Sequence, residues 1–270
     1  GFPPGVVNLV TAQDPAPVGE EFVSNPKVAK LTFTGSTAVG KMLAGRAAAE
    51  MKRVSCELGG HAPFLVFADA DPVHAAKGAQ LVKFLNTGQA CISPNRMLVQ
   101  RDLVDDFVGT LNERVSRMKA GSGLEDGITI GPLVNQTAVD KVAAQVDDAA
   151  AKGAEIVCGG QRLTDGGLDR GFFYAPTVLS GVTAEMRVYR EETFGPVAPV
   201  IAFDDEDEAL AMANDTHYGL AAYVYTQNMS RAMRMFEGLN FGIIGINDIN
   251  PTSAAAPSGG CSRTSAVPGR

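Results

Sequence analysis

No apolar run approaches the roughly 18 residues that a membrane-crossing helix needs, so no segment reads as a span. Basic residues are not in excess either. There are 23 Lys and Arg against 30 Asp and Glu, a net charge of −7. A nucleic-acid binder would show a basic face, so that class is excluded. Cysteine is scarce: Cys56, Cys91, Cys158 and Cys261 are the four, with no CxxC pair and no histidine cluster nearby. That excludes a disulfide scaffold and zinc sites of familiar spacing. His74 and His217 have no metal-like neighbours at useful spacing. The opening stretch, Gly1 to Gly5, has two prolines and no basic residue, unlike a secretory leader. Apolar residues make up 45% and charged residues 20%, which excludes disorder. The expectation is a reduced, cytoplasmic, acidic chain of enzyme size.

What is present is alternation. Short β-rich runs (Val6 to Val10, Val28 to Phe33, Lys52 to Cys56, Pro63 to Phe67, Asn95 to Gln100, Glu155 to Cys158, Phe172 to Val178, Val197 to Phe203, Leu220 to Tyr225 and Gly242 to Ile246) alternate with amphipathic stretches. Between Asp102 and Lys119, for example, Val104, Phe107, Val108, Leu111, Val115 and Met118 recur at helical spacing. Asp71 and Pro72 read as an N-cap and first helical residue, and Gly153 as the residue that ends a helix. Such alternation predicts an α/β fold of mainly parallel sheets with flanking helices. Two strand–helix series suggest two units, with the boundary near Gly59-Gly60.

Gly35-Ser-Thr-Ala-Val-Gly40-Lys41-Met42 nearly matches the GxxxxGK[ST] phosphate loop. Met42 stands where a hydroxyl would bind Mg²⁺, which argues against an NTPase. A Gly-Ser-Thr turn opening a helix still offers N–H groups to a phosphate; taken alone it equally reads as a plain N-cap. Cys56 and Cys158 end apolar runs and read as buried, inert thiols. Cys91 differs, because Asn86-Thr-Gly-Gln-Ala90 places it in a polar turn where a thiolate could face a cleft. Glu57 precedes two glycines at a strand end. It reads as a solvated terminus or, if burial raises its pKa, as a general base.

Together these signals form one ordered set. Phe33-Thr-Gly-Ser-Thr37, Glu57-Leu-Gly-Gly60, Asn86-Thr-Gly-Gln-Ala-Cys91 and Glu191-Glu-Thr-Phe-Gly-Pro-Val197 resemble the NAD(P)-dependent aldehyde dehydrogenase superfamily. Gly131-Pro132, Pro176-Thr177, Asn214-Asp215 and Tyr218-Gly219-Leu220 add to the likeness, which runs to about Pro257. The resemblance implies that Cys91 is the nucleophile and Glu57 the general base. It implies that Gly35 and Ser36 meet the pyrophosphate of NAD or NADP, that Glu192 and Phe194 meet the nicotinamide ribose, and that Leu58 and Gly59 border the nicotinamide. Asn86 belongs to the motif that positions the nucleophile turn. It further implies a small-molecule aldehyde as substrate and a homo-oligomer in a complete family member. Residues 1–59 would be a remnant of the dinucleotide-binding domain, 60–250 the catalytic domain, and 251–270 an altered tail in place of the oligomerisation strand. For that tail one expectation is a shifted-frame translation of a family-like gene.

Departures from the family pattern sharpen the expectation. Succinate-semialdehyde dehydrogenases, the branch most resembled between Gly131 and Val200, carry Arg immediately before the Asn of the nucleophile motif. This chain has Leu85, which cannot pair with a distal carboxylate. His61 and Ser93 are smaller departures; His61 reads as a surface residue. Family members place about half their length before the segment matching Gly1, including an oxyanion-hole asparagine, so the other reading is a non-catalytic remnant. Loss of one oxyanion donor alone costs about 10²–10³ in rate. The 270-residue chain by itself is therefore expected to give no clear NAD(P)H absorbance rise at about 340 nm with any aldehyde; a clear rise contradicts this.

Overall fold

The computed structural model describes residues 1–250; residues 251–270, expected from the sequence to be an altered tail and including Cys261, lie outside the described residues. The chain divides between Leu58 and Gly59 into two units.

In the first unit, α1 (Ala16–Ser24), β1 (Lys30–Thr34), α2 (Thr37–Ala49) and β2 (Arg53–Glu57) follow in order. β1 and β2 pair in parallel, from Lys30 opposite Arg53 to Thr34 opposite Glu57. A parallel pair needs a crossover, and α2 supplies it. Ser36 caps α2, its Oγ accepting from the Val39 amide at 3.4 Å. Val23, Leu31, Leu43 and Ala47 form a small core. The strand expected at Val6 to Val10 is not formed. Those residues are irregular, and Leu9 is 89% exposed. An apolar run becomes a strand only with a ladder partner, and none pairs with it here.

The second unit holds β3 (Ala62–Val66), α3 (Pro72–Lys83), β4 (Pro94–Gln100), α4 (Val104–Val115), α5 (Gln136–Ala151), β5 (Glu155–Cys158) and β6 (Thr177–Ser180), then α6 (Arg187–Arg190), β7 (Val197–Phe203), α7 (Glu206–Asn214), β8 (Ala221–Tyr225), α8 (Met229–Gly238) and β9 (Ile243–Ile246). Seven strands form one sheet in the order β5-β6-β7-β4-β3-β8-β9. Every pairing is parallel except β5 with β6. The central strands are buried on both faces, which explains their unbroken apolar runs. Phe64, Val66, Met97 and Val99 pack under α3 and α4. Leu65, Phe67, Leu98 and Ile201 pack under α5, α7 and α8. The strand expected from Phe172 begins only at Thr177. Pro176 has no N–H for a ladder, and Phe172 and Phe173 instead accept from Leu133 and Leu163.

Both edges of the sheet are polar, but in different ways. At the carboxyl edge, ion pairs staple the chain. Asp69, after β3, accepts from Thr226 after β8 at 2.9 Å and pairs with Arg231 at 2.7 Å. Arg101, after β4, pairs with Asp204 after β7 at 2.5 Å. Glu206, at the start of α7, pairs with Arg231 and Arg234. No helix among the described residues is long and apolar enough to cross a membrane.

Arg96, fully buried on β4, closes the end of α7. It donates to the carbonyls of Met212 at 2.7 Å, Ala213 at 2.9 Å and His61 at 3.2 Å. Helix ends need such partners. Replacing Arg96 with Met leaves these buried carbonyls unsatisfied and is expected to cost about 3 kcal/mol. A lowered urea midpoint at unchanged slope would show this; an unchanged midpoint would refute it.

Candidate active site

Three sequence motifs meet because three parallel strands are neighbours. Gly59-Gly60 leads into β3, Cys91 into β4 and Glu192 into β7, and these strands are adjacent in the order β7-β4-β3. Their parallel direction puts all three lead-in segments on one amino edge. A side-chain carbon on Gly60 would sit 1.9 Å from the Cys91 carbonyl oxygen, so only glycine permits this approach. The Gly60 amide donates to Glu192 Oε1 at 2.8 Å, and the same carboxylate lies against Gly59.

The Asn86–Cys91 turn is locally strained. The 3₁₀ turn Leu85–Gly88 contains Asn86 at φ 48° and Thr87 at φ 60°, left-handed conformations that side chains rarely adopt. α3 stops at Lys83, just before this turn. Gly88, at φ 75°, would bring a side-chain carbon 2.1 Å from the Gly195 carbonyl oxygen. Such strain persists only where neighbours over-determine it, and they do. Asn86 Nδ2 donates to the Gln89 carbonyl at 3.1 Å, and Gln89 Nε2 donates back to the Asn86 carbonyl at 3.2 Å. Thr87 Oγ1 accepts from the Gly131 amide at 3.0 Å and donates to its carbonyl at 3.2 Å. Gln89 reaches Pro132 at 3.2 Å and Val134 at 3.0 Å. The Gly131-Pro132 pair is thus the dock for the Asn86–Cys91 turn. Cys91 is half-buried, and Tyr223 Oη donates to the next carbonyl, Ile92, at 3.0 Å.

Burial pushes the Glu192 carboxyl above its usual range, opposed by the Gly60 amide and the charges of Lys141 and Lys83. Phe194 is 39% exposed and itself left-handed, at φ 51°. Leu85 is 54% exposed beside Asn86. His61 corrects the sequence reading: it is 1% exposed, with Nε2 bonded at 2.7 Å to the Tyr189 carbonyl. Burial first, then Arg96, hold its pKa well below the ordinary value. It follows Gly60 directly and is drawn into the core with β3. Thr87, Gln89, Lys83 and Asn95 were given no role from the sequence. The first two lay inside the quoted motif, so only the hydrogen bonds reveal their part.

The remaining residues lie in the first unit. Glu57 ends β2, half-buried, and burial raises its carboxyl pKa. Its carbonyl accepts from the Gly35 amide at 3.0 Å, which ties the strand end to the turn before α2. Gly35 and Ser36 are exposed, and Leu58 is buried against α2 at Gly40. The same unit holds a cavity of about 530 Å³, walled by Val18, Phe22, Leu31, Phe33, Val39 and Met42 among others. No group of three or more His, Cys, Asp or Glu among the described residues could hold a metal.

Comparison with known proteins shows the family. The sequence model described as "Aldehyde dehydrogenase family" matches residues 1–267. The succinate-semialdehyde dehydrogenase [NADP(+)] GabD of Escherichia coli K12 is 48% identical over 260 residues, 96% of this chain and 53% of that protein. A probable succinate-semialdehyde dehydrogenase [NADP(+)] of Sinorhizobium fredii is 47% identical, over 96% of this chain and 52% of its own length. The crystal structure of succinate-semialdehyde dehydrogenase from Burkholderia pseudomallei superposes with a TM-score of 0.90 at 45% identity, covering 95% of this chain and 52% of that one. The chain spans about half the length of these relatives. It belongs to the aldehyde dehydrogenase family.

Proposed function

We propose that this chain carries the nucleophile and water-activating residues of an enzyme that oxidises an aldehyde to a carboxylate with NAD or NADP. The observation that carries the reading is the Cys91 turn, held in left-handed backbone and pressed on Gly60 beside Glu192. Cys91 as thiolate attacks the aldehyde carbon and forms a tetrahedral thiohemiacetal, whose oxyanion main-chain N–H groups can stabilise. NAD or NADP, when bound, would supply the hydride acceptor that oxidation to the acyl level requires. Glu57, its pKa raised by burial, takes a proton from the water that releases the acid. Sulfur serves both halves, being a good nucleophile at attack and a good leaving group at hydrolysis. A reducing, cytoplasmic setting would keep that sulfur in the thiol state.

The first unit fits a dinucleotide. Its cavity has apolar walls suited to a flat ring system. At the start of α2, Gly35, Ser36 and the first-turn N–H groups suit a pyrophosphate. Glu192 and Phe194 would meet the ribose, and Leu58 and Gly59 the nicotinamide. Residues 1–59 are accordingly the dinucleotide-binding part and 60–250 the catalytic part. Leu85, exposed and apolar, favours an aldehyde without a distal carboxylate.

A halomethyl-ketone aldehyde analogue tests this. It is expected to label Cys91 in preference to Cys56 and Cys158, with NAD or NADP binding measurable by calorimetry. Equal labelling of all thiols with no cofactor binding would overturn the reading in favour of a non-catalytic remnant. Leu85→Arg is expected to speed labelling by a carboxylate-bearing analogue about threefold relative to a neutral one, a modest gain because the site is solvent-screened. No change in that ratio would remove residue 85 from the specificity argument.

A further inference from the structure

Lys83 has no part in the chemistry just described, yet it lies beneath it. It is the last residue of α3 and 0% exposed. A buried lysine is costly unless partnered, and the partners of this one are neutral. Nζ donates to Asn95 Oδ1 at 2.7 Å and to Ser93 Oγ at 3.2 Å. Ser93 Oγ donates back to the Lys83 carbonyl at 3.3 Å. Asn95 passes the connection on, its Nδ2 donating to the Gly60 carbonyl at 3.3 Å. Gly60 is the residue pressed on Cys91, and its amide holds Glu192. One amine thus joins the segments leading into β3 and β4 on either side of the nucleophile.

We propose that Lys83 is a positioning residue for the reaction at Cys91, its amine fixing through Ser93 and Asn95 the turn that presents the thiol. This rests on the reading of Cys91 as nucleophile. Burial pushes the ammonium down to about 7, with Glu192 opposing. The titratable groups coupled to it are Glu192, before β7, and His61, before β3; burial holds His61 neutral. Below that pH a charged amine, bonded to Ser93 two residues from Cys91, favours the thiolate form of that cysteine. Above it the neutral amine keeps two N–H donors, enough for Asn95 and Ser93, so the turn stays in place while the charge is lost.

The test is the rate of Cys91 carbamidomethylation by iodoacetamide, resolved by peptide mass spectrometry across roughly pH 5.5 to 9.5, with Cys158 in the same molecule as control. The wild-type chain is expected to show two steps, one near the lysine's titration and one from the thiol. Lys83→Met should leave a single thiol step and slow Cys91 about threefold or more near pH 6, with Cys158 unchanged. Ser93→Ala, which removes one acceptor and little volume, should move the lower step to lower pH even if Lys83→Met does not fold. A wild-type profile with one step, a folded Lys83→Met with the wild-type profile, or an unmoved step in Ser93→Ala would each overturn the proposal. Because alkylation needs no aldehyde and no cofactor, a two-step profile beside failed analogue labelling and failed cofactor binding would sink the proposed function and not this one.

Discussion

The contact between Gly60 and the Cys91 carbonyl governs the second unit's amino edge. Main chain meets main chain at a distance that leaves no room for a side chain. Two lead-in segments of neighbouring strands are forced together there, and a third, carrying Glu192, is tied on by the Gly60 amide. A thiol on a free loop would sample many positions; here its neighbours fix the backbone before any substrate arrives. The strain at Asn86 and Thr87 is the local cost of that arrangement. Thr87 and Gln89, bonded to the 131–134 segment, keep it from relaxing.

This placement departs from a general tendency. In open parallel sheets, ligands usually meet the carboxyl ends of the strands. In this unit those ends are closed by Arg101 with Asp204 and by Asp69 with Thr226 and Arg231. Cys91 and Glu192 lie instead at the opposite edge, where loops lead into β3, β4 and β7 and a glycine pair lets main chains touch. The near-miss phosphate loop belongs to the other unit, where its Ser36 caps α2.

Much of the fold was legible because burial leaves a simple imprint. Strand β7 was read at its true bounds, since both faces are buried and the run is uninterrupted. The start of β6 was not, because it depends on a proline without a ladder donor. Val6 to Val10 has strand composition but no partner, and pairing is decided by what lies alongside. Cys91, Glu57 and Glu192 stood out through motifs of fixed order. Lys83, Asn95 and Arg96 did not, because nothing in a linear sequence says that a lysine ending an amphipathic helix will point into the core.

Those buried polar residues explain how the edge keeps its shape. Arg96 satisfies carbonyls of α7 and of His61, and so fixes the residue after Gly60 from one side. Asn95, its neighbour on β4, binds the Gly60 carbonyl from the other. Alternating positions on one strand therefore address opposite faces of the sheet, yet both act on the same short segment. An all-apolar core would be cheaper to desolvate. It could not hold main-chain carbonyls at fixed positions, because apolar contacts have no direction and hydrogen bonds do. A site that depends on backbone touching backbone needs directional bonds beneath it, and β4 supplies them from consecutive residues.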